Sequence, residues 1–294
     1  METCLFTNHD CLNHETPLSH PKNADRLKIV LKSIEDNSYK KLLKKNYKTG
    51  KMKNITRVQN KKYIKILLDN NLNNCFKIDD DCFLSPNSKK TILGCIGAVK
   101  EAVDYFLTEK INNAYYTIRP PGHHASKGSS MEFYIINNVA IGVCYALEKY
   151  NLKRIAIIDF DVHHGNEIQN IFWNEKKVLF TSSHQVPLFP GSGKKEETGK
   201  CKNIFNFELR PGSNDRSFVK ILSEEIIPIV ESFKPELIFL SSGFGAHEKD
   251  PLSNINFKRK DYGEIIELFL KLATKVCKGK LISCLEGGYQ IEAL

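Results

Sequence analysis

No two cysteines of this chain are spaced Cys-x-x-Cys, although there are nine of them, at positions 4, 11, 75, 82, 95, 144, 201, 277 and 284. An odd, scattered set argues against a disulfide framework and a thiolate zinc site, and it suits a reducing compartment such as the cytoplasm. No apolar run approaches the ~18 residues of a membrane span, so no membrane partner is expected. The opening METCLFTNHDC lacks a basic stretch followed by an apolar one, so no secretion signal is read. No Gly-x-Ser-x-Gly elbow occurs, which argues against a serine hydrolase. Internal repeats, Pro/Gly/Ser linkers and breaks in composition are also missing, which predicts a single domain over residues 1–294.

What is present is an ordinary globular composition. Of the 294 residues, 41% are hydrophobic and 26% charged, enough for a sizeable core. The formal net charge is +9, but the lysines are scattered, with no aromatic interleaving. They read as a solvated surface, and no direct nucleic-acid partner is expected. The Lys-rich stretch 40–54, KKLLKKNYKTGKMKN, is expected to be surface.

From about residue 86 the patterns alternate. Ile92, Ile96, Val99, Val103 and Phe106 share one helical face, with Ser85 or Ser88 as a cap. Strand patterns follow at 114–118, 154–159, 177–182, 236–241 and 280–285. Helical patterns lie at 137–150, 214–233 and 260–277. Such alternation predicts an α/β fold, a mostly parallel β-sheet flanked by helices on both faces. Each strand is followed by a polar or Gly-rich loop: RPPGHHA, DVHHGN, SSHQ, GFGAH and EGGY. Ligands of open parallel sheets bind beyond the carboxyl ends of the strands, so these five loops are the candidate site.

The stretch RIAIIDFDVHHGN carries the chemistry most plainly. Asp159, Asp161, His163 and His164 stand at the mouth of a buried strand, where unpaired polar groups are costly. Asp161 and His163 are two residues apart and face the same way on an extended strand end. One oxygen and one nitrogen on one side suit zinc. A carboxylate–imidazole pair without metal is the alternative. His123 and His124, held by the stiff Pro-Pro-Gly before them, suit general acid–base work beside a metal-bound water. Tyr289 offers a phenol to an oxyanion.

RPPGHHA, DFDVHHGN, SSHQVPLFPGSG, GFGAHEKDPL and LEGGY, in that order, resemble the signatures of the zinc-dependent histone deacetylase and acetylpolyamine amidohydrolase family. CLNHETPLSHPKNADRL and DDDCFLSPNS extend the likeness toward residue 4. The resemblance implies the arginase/deacetylase fold and hydrolysis of an acetylated amine, on acetyl-lysine or a polyamine. It implies zinc at Asp161 and His163, and catalytic roles for His123, His124, Asp159 and Tyr289. Asp159 would orient His123, and Asn166 would stand behind His124. Phe133 and Phe189 match the aromatic walls of a substrate channel. Asp159 and Ser182 match a monovalent-cation site, for potassium. His164 and His184 are expected to be structural, His14 and His20 to fix loops, and His9 to lie on the surface.

The pattern breaks in three places. Gly245 stands where the family has its third zinc ligand, a carboxylate, while Asp250 matches a different, structural position. Glu132, in MEFY, replaces a glycine; it could fill the acetyl pocket, turn to solvent, or supply the missing ligand. The sequence stops five residues after Tyr289, where relatives add a helix, so a C-terminal helix is expected to be missing. A catalytically impaired relative that binds acylated amines or a partner is therefore the alternative to an active amidohydrolase. A binuclear ureohydrolase is disfavoured, because Gly165 stands where it would need an aspartate.

Overall fold

The computed structural model describes every residue except 1, 2, 8, 18, 19, 37, 38, 40, 41, 46, 70–72, 109, 110 and 112. It divides into two compact units, Met1–Asn151 and Leu152–Leu294. No helix among the described residues is long and apolar enough to cross a membrane.

In the first unit the elements are β1 (Thr3–Thr7), α1 (Asp25–Asp36), β2 (Leu42–Lys45), α2 (Met52–Ile55), α3 (Lys61–Leu68), the short β3 (Phe76–Lys77) and β4 (Phe83–Leu84), α4 (Ser88–Thr108), β5 (Asn113–Thr117) and α5 (Asn138–Tyr150). Strand β1 pairs parallel with β2 on one side and β5 on the other. All five apolar positions expected on one face of α4 are buried. Burial of such side chains contributes roughly 1.5–3 kcal/mol each, which outweighs the weak helix propensity of the β-branched ones. Asn137 caps α5 by accepting from the Ala140 N–H at 3.0 Å.

Residues 40–54 are not simply surface. Leu42–Lys45 form β2, and α2 buries Asn54 and Ile55. The lysines concealed this, because an outer strand needs only a half-buried face, and lysine along it discourages pairing with another chain.

In the second unit the elements are β6 (Ile155–Asp159), α6 (Asn166–Phe172), β7 (Val178–Gln185), β8 (Ile204–Leu209), α7 (Asp215–Ile221), α8 (Ile227–Phe233), β9 (Leu237–Ser242), α9 (Arg259–Cys277) and β10 (Leu281–Leu285). The strands run parallel in the order β10, β9, β6, β7, β8. Every residue of β6, β7 and β9 is buried, as strands covered on both faces require. Ala156 and Ile158 of β6 share a core cluster with Phe218, Val230 and Phe269 of the covering helices. The predicted helix 214–233 is one helical run divided by a π turn, Leu222–Ile226, just before Pro228. Strand β8 had no counterpart in the sequence reading: its IFNFEL pattern is interrupted by Asn206, whose side chain donates to Gln169 at 2.8 Å.

Candidate active site

The tandem histidines follow β5 on a loop that is tied down at both ends. Arg119 is buried and donates to the carbonyls of Lys22, at 2.8 and 2.6 Å, and of His14. Burial, with Arg26 nearby, lowers its pKa to about 10, so it stays charged at neutral pH. Asn138 donates to the Pro120 carbonyl at 3.1 Å. A Cβ on Gly122 would come within 2.5 Å of the Ile136 carbonyl and 2.6 Å of the Asn138 nitrogen, so only glycine lets the loop lie this close. His123 and His124 are fully buried, their ring centroids 4.0 Å apart, and Tyr134 packs on them at 4.8 and 4.7 Å.

Beside them the chain makes a two-residue hairpin. Met131 and Tyr134 exchange backbone hydrogen bonds of 3.1 and 2.9 Å, and the two residues between, Glu132 and Phe133, have φ of 44° and 76°. This is the type I′ geometry that normally selects Asn-Gly or Gly-Gly. A residue with a Cβ in that region costs about 1–2 kcal/mol. The turn directs the Glu132 carboxylate at His124, with Oε2 3.5 Å from Nε2 and the side chain only 19% exposed. Glu132 therefore does not turn to solvent. Phe133 stacks edge-on against His20 at 4.6 Å, and the Lys22 ammonium lies 2.9 Å from the Tyr134 ring centre. His20 is held by the Asp81 carbonyl at 3.0 Å and His14 by Ser88 at 2.7 Å, while His9 is exposed.

In the second unit, β6 ends at Asp159, whose Oδ1 accepts from the Asp161 N–H at 3.1 Å. Asp161 accepts from the backbone N–H of His163 at 3.0 Å and of Gly287 at 2.8 Å. A Cβ on Gly243 or Gly287 would lie 1.9 or 2.5 Å from Asp161 Oδ2, so both glycines make room for this carboxylate. Sequence reading missed these two roles, since both glycines pass for turn residues. Asp161 Oδ1 and His163 Nδ1 stand 3.3 Å apart.

That separation is informative. Two donors about 2.0–2.2 Å from one tetrahedral zinc lie about 3.3–3.6 Å from each other. A carboxylate offers about four lone-pair directions, so backbone bonds and a metal bond are compatible. The pair thus fits two corners of a zinc site. The third corner is not supplied: among the described residues no group of three His, Cys, Asp or Glu side chains could hold a metal. Gly245 itself has room, since a Cβ there would meet only Val162 Cγ1 closely, at 2.7 Å.

Asp250 is engaged elsewhere. It accepts from the N–H groups of Tyr289 at 2.6 Å, Gln290 at 3.3 Å and Leu252 at 3.0 Å, fixing the segment that carries the phenol. Burial, and secondarily the Asp161 charge, raise its pKa against those three hydrogen bonds. Tyr289 is 9% exposed. His247 accepts from the Lys249 N–H at 3.2 Å within its own loop.

Phe189 is 42% exposed on a loop that two histidines fasten, His184 to β7 and His164 to the start of α6. His164 reaches Ser192 at 2.8 Å and Gln169 at 3.1 Å; His184 reaches the Gly193 carbonyl at 3.1 Å and Ser182 at 3.0 Å. Asp159 and Ser182 are register partners on neighbouring strands. Asn166 opens α6 and donates to Glu167 at 3.3 Å.

These contacts give a pH expectation. Burial first, then the charge of His164, lower the His184 pKa to about 3. The unfolded chain, near 6.5, binds more protons between those values, so this stabilisation is complete above pH 6.5 and declines as pH falls toward 3. Urea unfolding at pH 7.5 and 5.5 should show a loss of about 1.4 kcal/mol from this group. A His184→Gln protein should lose correspondingly less; equal losses in both proteins would remove His184 as the source.

Comparison with known proteins gives one consistent answer. A profile of the histone deacetylase domain matches residues 20–294. A protein named probable deacetylase from Archaeoglobus fulgidus is 33% identical over 99% of this chain and 82% of its own length. Histone deacetylase 14, chloroplastic, from Arabidopsis thaliana is 32% identical over 94% of this chain and 70% of its own length. The crystal structure of the HDA15 HD domain superposes with a TM-score of 0.93 at 25% identity, covering 100% of this chain and 85% of that one.

Proposed function

The chain belongs to the histone deacetylase family, and on that premise we propose that it hydrolyses the acyl amide of an acetylated lysine or polyamine-type amine, with zinc held weakly by Asp161 and His163. The observation that carries this reading is the buried Asp161–His163 edge of 3.3 Å at the mouth of β6. Zinc, when bound, supplies Lewis acidity toward the acyl carbonyl and brings the pKa of water toward about 7. His123 and His124 share the proton work, taking a proton from the attacking water and returning one to the departing amine. The Tyr289 phenol donates to the oxyanion. Phe133 and Phe189 grip the aliphatic stem of the substrate, and Asp159 and Ser182 hold potassium. We treat residues 1–294 as one deacetylase-like domain, supported by a single profile running through both units. A reducing, cytoplasmic setting is supported by the odd, scattered set of cysteines, none of them spaced Cys-x-x-Cys.

Gly245 favours a second reading, in which the chain binds acylated amines with little turnover. Zinc content of the purified protein, measured together with turnover of a fluorogenic acetyl-lysine substrate, separates the two. Hydrolysis predicts turnover that rises to saturation with added zinc and disappears with a chelator. No turnover at saturating zinc, or turnover indifferent to chelation, overturns it. Within the hydrolytic reading, Tyr289→Phe should lower kcat by about 10²–10³-fold and leave substrate binding nearly unchanged, the range for losing one oxyanion donor. A KM effect with unchanged kcat would assign Tyr289 to binding instead.

A further inference from the structure

We infer that Glu132 selects the acyl group: the chain prefers acyl amides bearing a hydrogen-bond donor or a cation on the acyl carbon chain, such as aminoacetyl or hydroxyacetyl, over plain acetyl. This rests on the deacylase reading above and narrows its substrate class.

A general base must lie within hydrogen-bond reach of the water that attacks the acyl carbon. Within this inference Nε2 is the nitrogen with which His124 works, so whatever borders it also borders the acyl group. Glu132 Oε2 lies 3.5 Å from that ring's Nε2, and His124 is fully buried, so the carboxylate stands deep, on the acyl side of the site. The next residue, Phe133, points elsewhere, onto His20. The I′ turn separates the two side chains: φ of 44° at Glu132 and 76° at Phe133 place them on a tight hairpin whose ends, Met131 and Tyr134, are locked by two backbone bonds. A glycine would satisfy that backbone with less strain and leave open space. Glutamate there breaks a local rule, and rule-breaking residues concentrate at functional positions.

The chemistry of the choice follows. A carboxylate accepts hydrogen bonds and donates none, and it has acceptor directions beyond the one facing His124. A methyl group packed against it removes water from a charge and returns nothing. An ammonium or hydroxyl one carbon from the carbonyl replaces that water with a charge-assisted bond. An anionic acyl group, such as succinyl, meets like charge and is rejected.

The test uses the intact protein and four lysine peptides that differ only in the acyl group: acetyl, aminoacetyl, hydroxyacetyl and succinyl. Binding is read by fluorescence anisotropy, so turnover is not required, and hydrolysis is followed separately with zinc added. Aminoacetyl-lysine should bind about 10-fold or more tighter than acetyl-lysine, the scale of one charge-assisted hydrogen bond. Succinyl-lysine should bind most weakly. Glu132→Gln should abolish the aminoacetyl preference while keeping part of the hydroxyacetyl one. Glu132→Gly, which relaxes the turn and is expected to fold at least as well, should prefer acetyl. Acetyl-lysine binding as tightly as aminoacetyl-lysine in the wild type, or the same ranking in Glu132→Gly, overturns the inference while leaving the deacylase reading in place. If none of the four peptides binds or is hydrolysed, even with zinc and Gly245→Asp, both fall.

Discussion

Replacing Gly245 by Asp is expected to raise zinc affinity by at least about 10-fold, and acetyl-lysine turnover with it. Losing even a residue that only orients a metal ligand costs about 10–100-fold in affinity or activity, so gaining a direct ligand should bring no less. The backbone permits the change. Gly245 does not have positive φ, and its Cβ would touch only the end of the Val162 side chain, at 2.7 Å, with the next atom 3.7 Å away. A valine methyl gives way by a rotamer change or a small shift of its helix-free loop, at a cost of order 1 kcal/mol. Replacing glycine also lowers the entropy of the unfolded chain, which offsets part of that cost. Gly245→Ala is the control, because it adds the Cβ and its crowding without a donor. Competition against a chromogenic chelator gives the affinities. A folded Asp variant that binds zinc no better than the wild type, or no better than Gly245→Ala, would count against the metal reading as a whole.

The sequence showed β6, β7, β9 and β10 of the second unit because their apolar runs are continuous, as in Ile155 to Ile158, and end in loops rich in Gly, His and Asp, whereas β8, interrupted by Asn206, stayed hidden. It hid β2, because two of its four residues are lysines and its burial is partial. Hydrophobic periodicity cannot report a strand whose stability comes from backbone pairing with β1. Residue type and spacing point to Asp161, His163, His123, His124 and Tyr289, and the family resemblance implies the other candidate residues, but what holds them in place is not legible in the sequence. The need for Gly243 and Gly287 arises from the Asp161 carboxylate, 82 and 126 positions away in the chain for the nearer and farther of them, and only coordinates bring those atoms together. Glu132 stands out in the sequence as an anomaly, yet its direction depends on the I′ hairpin. MEFY has no residue that announces such a turn, since neither Glu nor Phe favours positive φ.

Removal of Asp161 should have the opposite and larger effect on the metal. With Asp161→Ala, His163 alone remains of the pair, and zinc binding should fall by more than about 100-fold, to that of a single imidazole. The same change removes the acceptor of the His163 and Gly287 N–H groups, each worth about 1–3 kcal/mol when left buried without one. Loss of zinc in the Ala variant could therefore follow from a loosened loop. Asp161→Asn separates the causes. The amide keeps the shape and one acceptor oxygen but carries no charge, so it should lose most of the zinc while unfolding at a temperature closer to that of the wild type. Zinc stoichiometry unchanged in Asp161→Asn would remove Asp161 from the ligand set. The double variant Asp161→Asn with Gly245→Asp completes the argument. It again offers one full carboxylate and one imidazole, and if donor number sets affinity it should bind zinc about as well as the wild type. If it binds no better than Asp161→Asn, position 245 does not face the metal, and the weakness of the site has a cause other than the missing carboxylate.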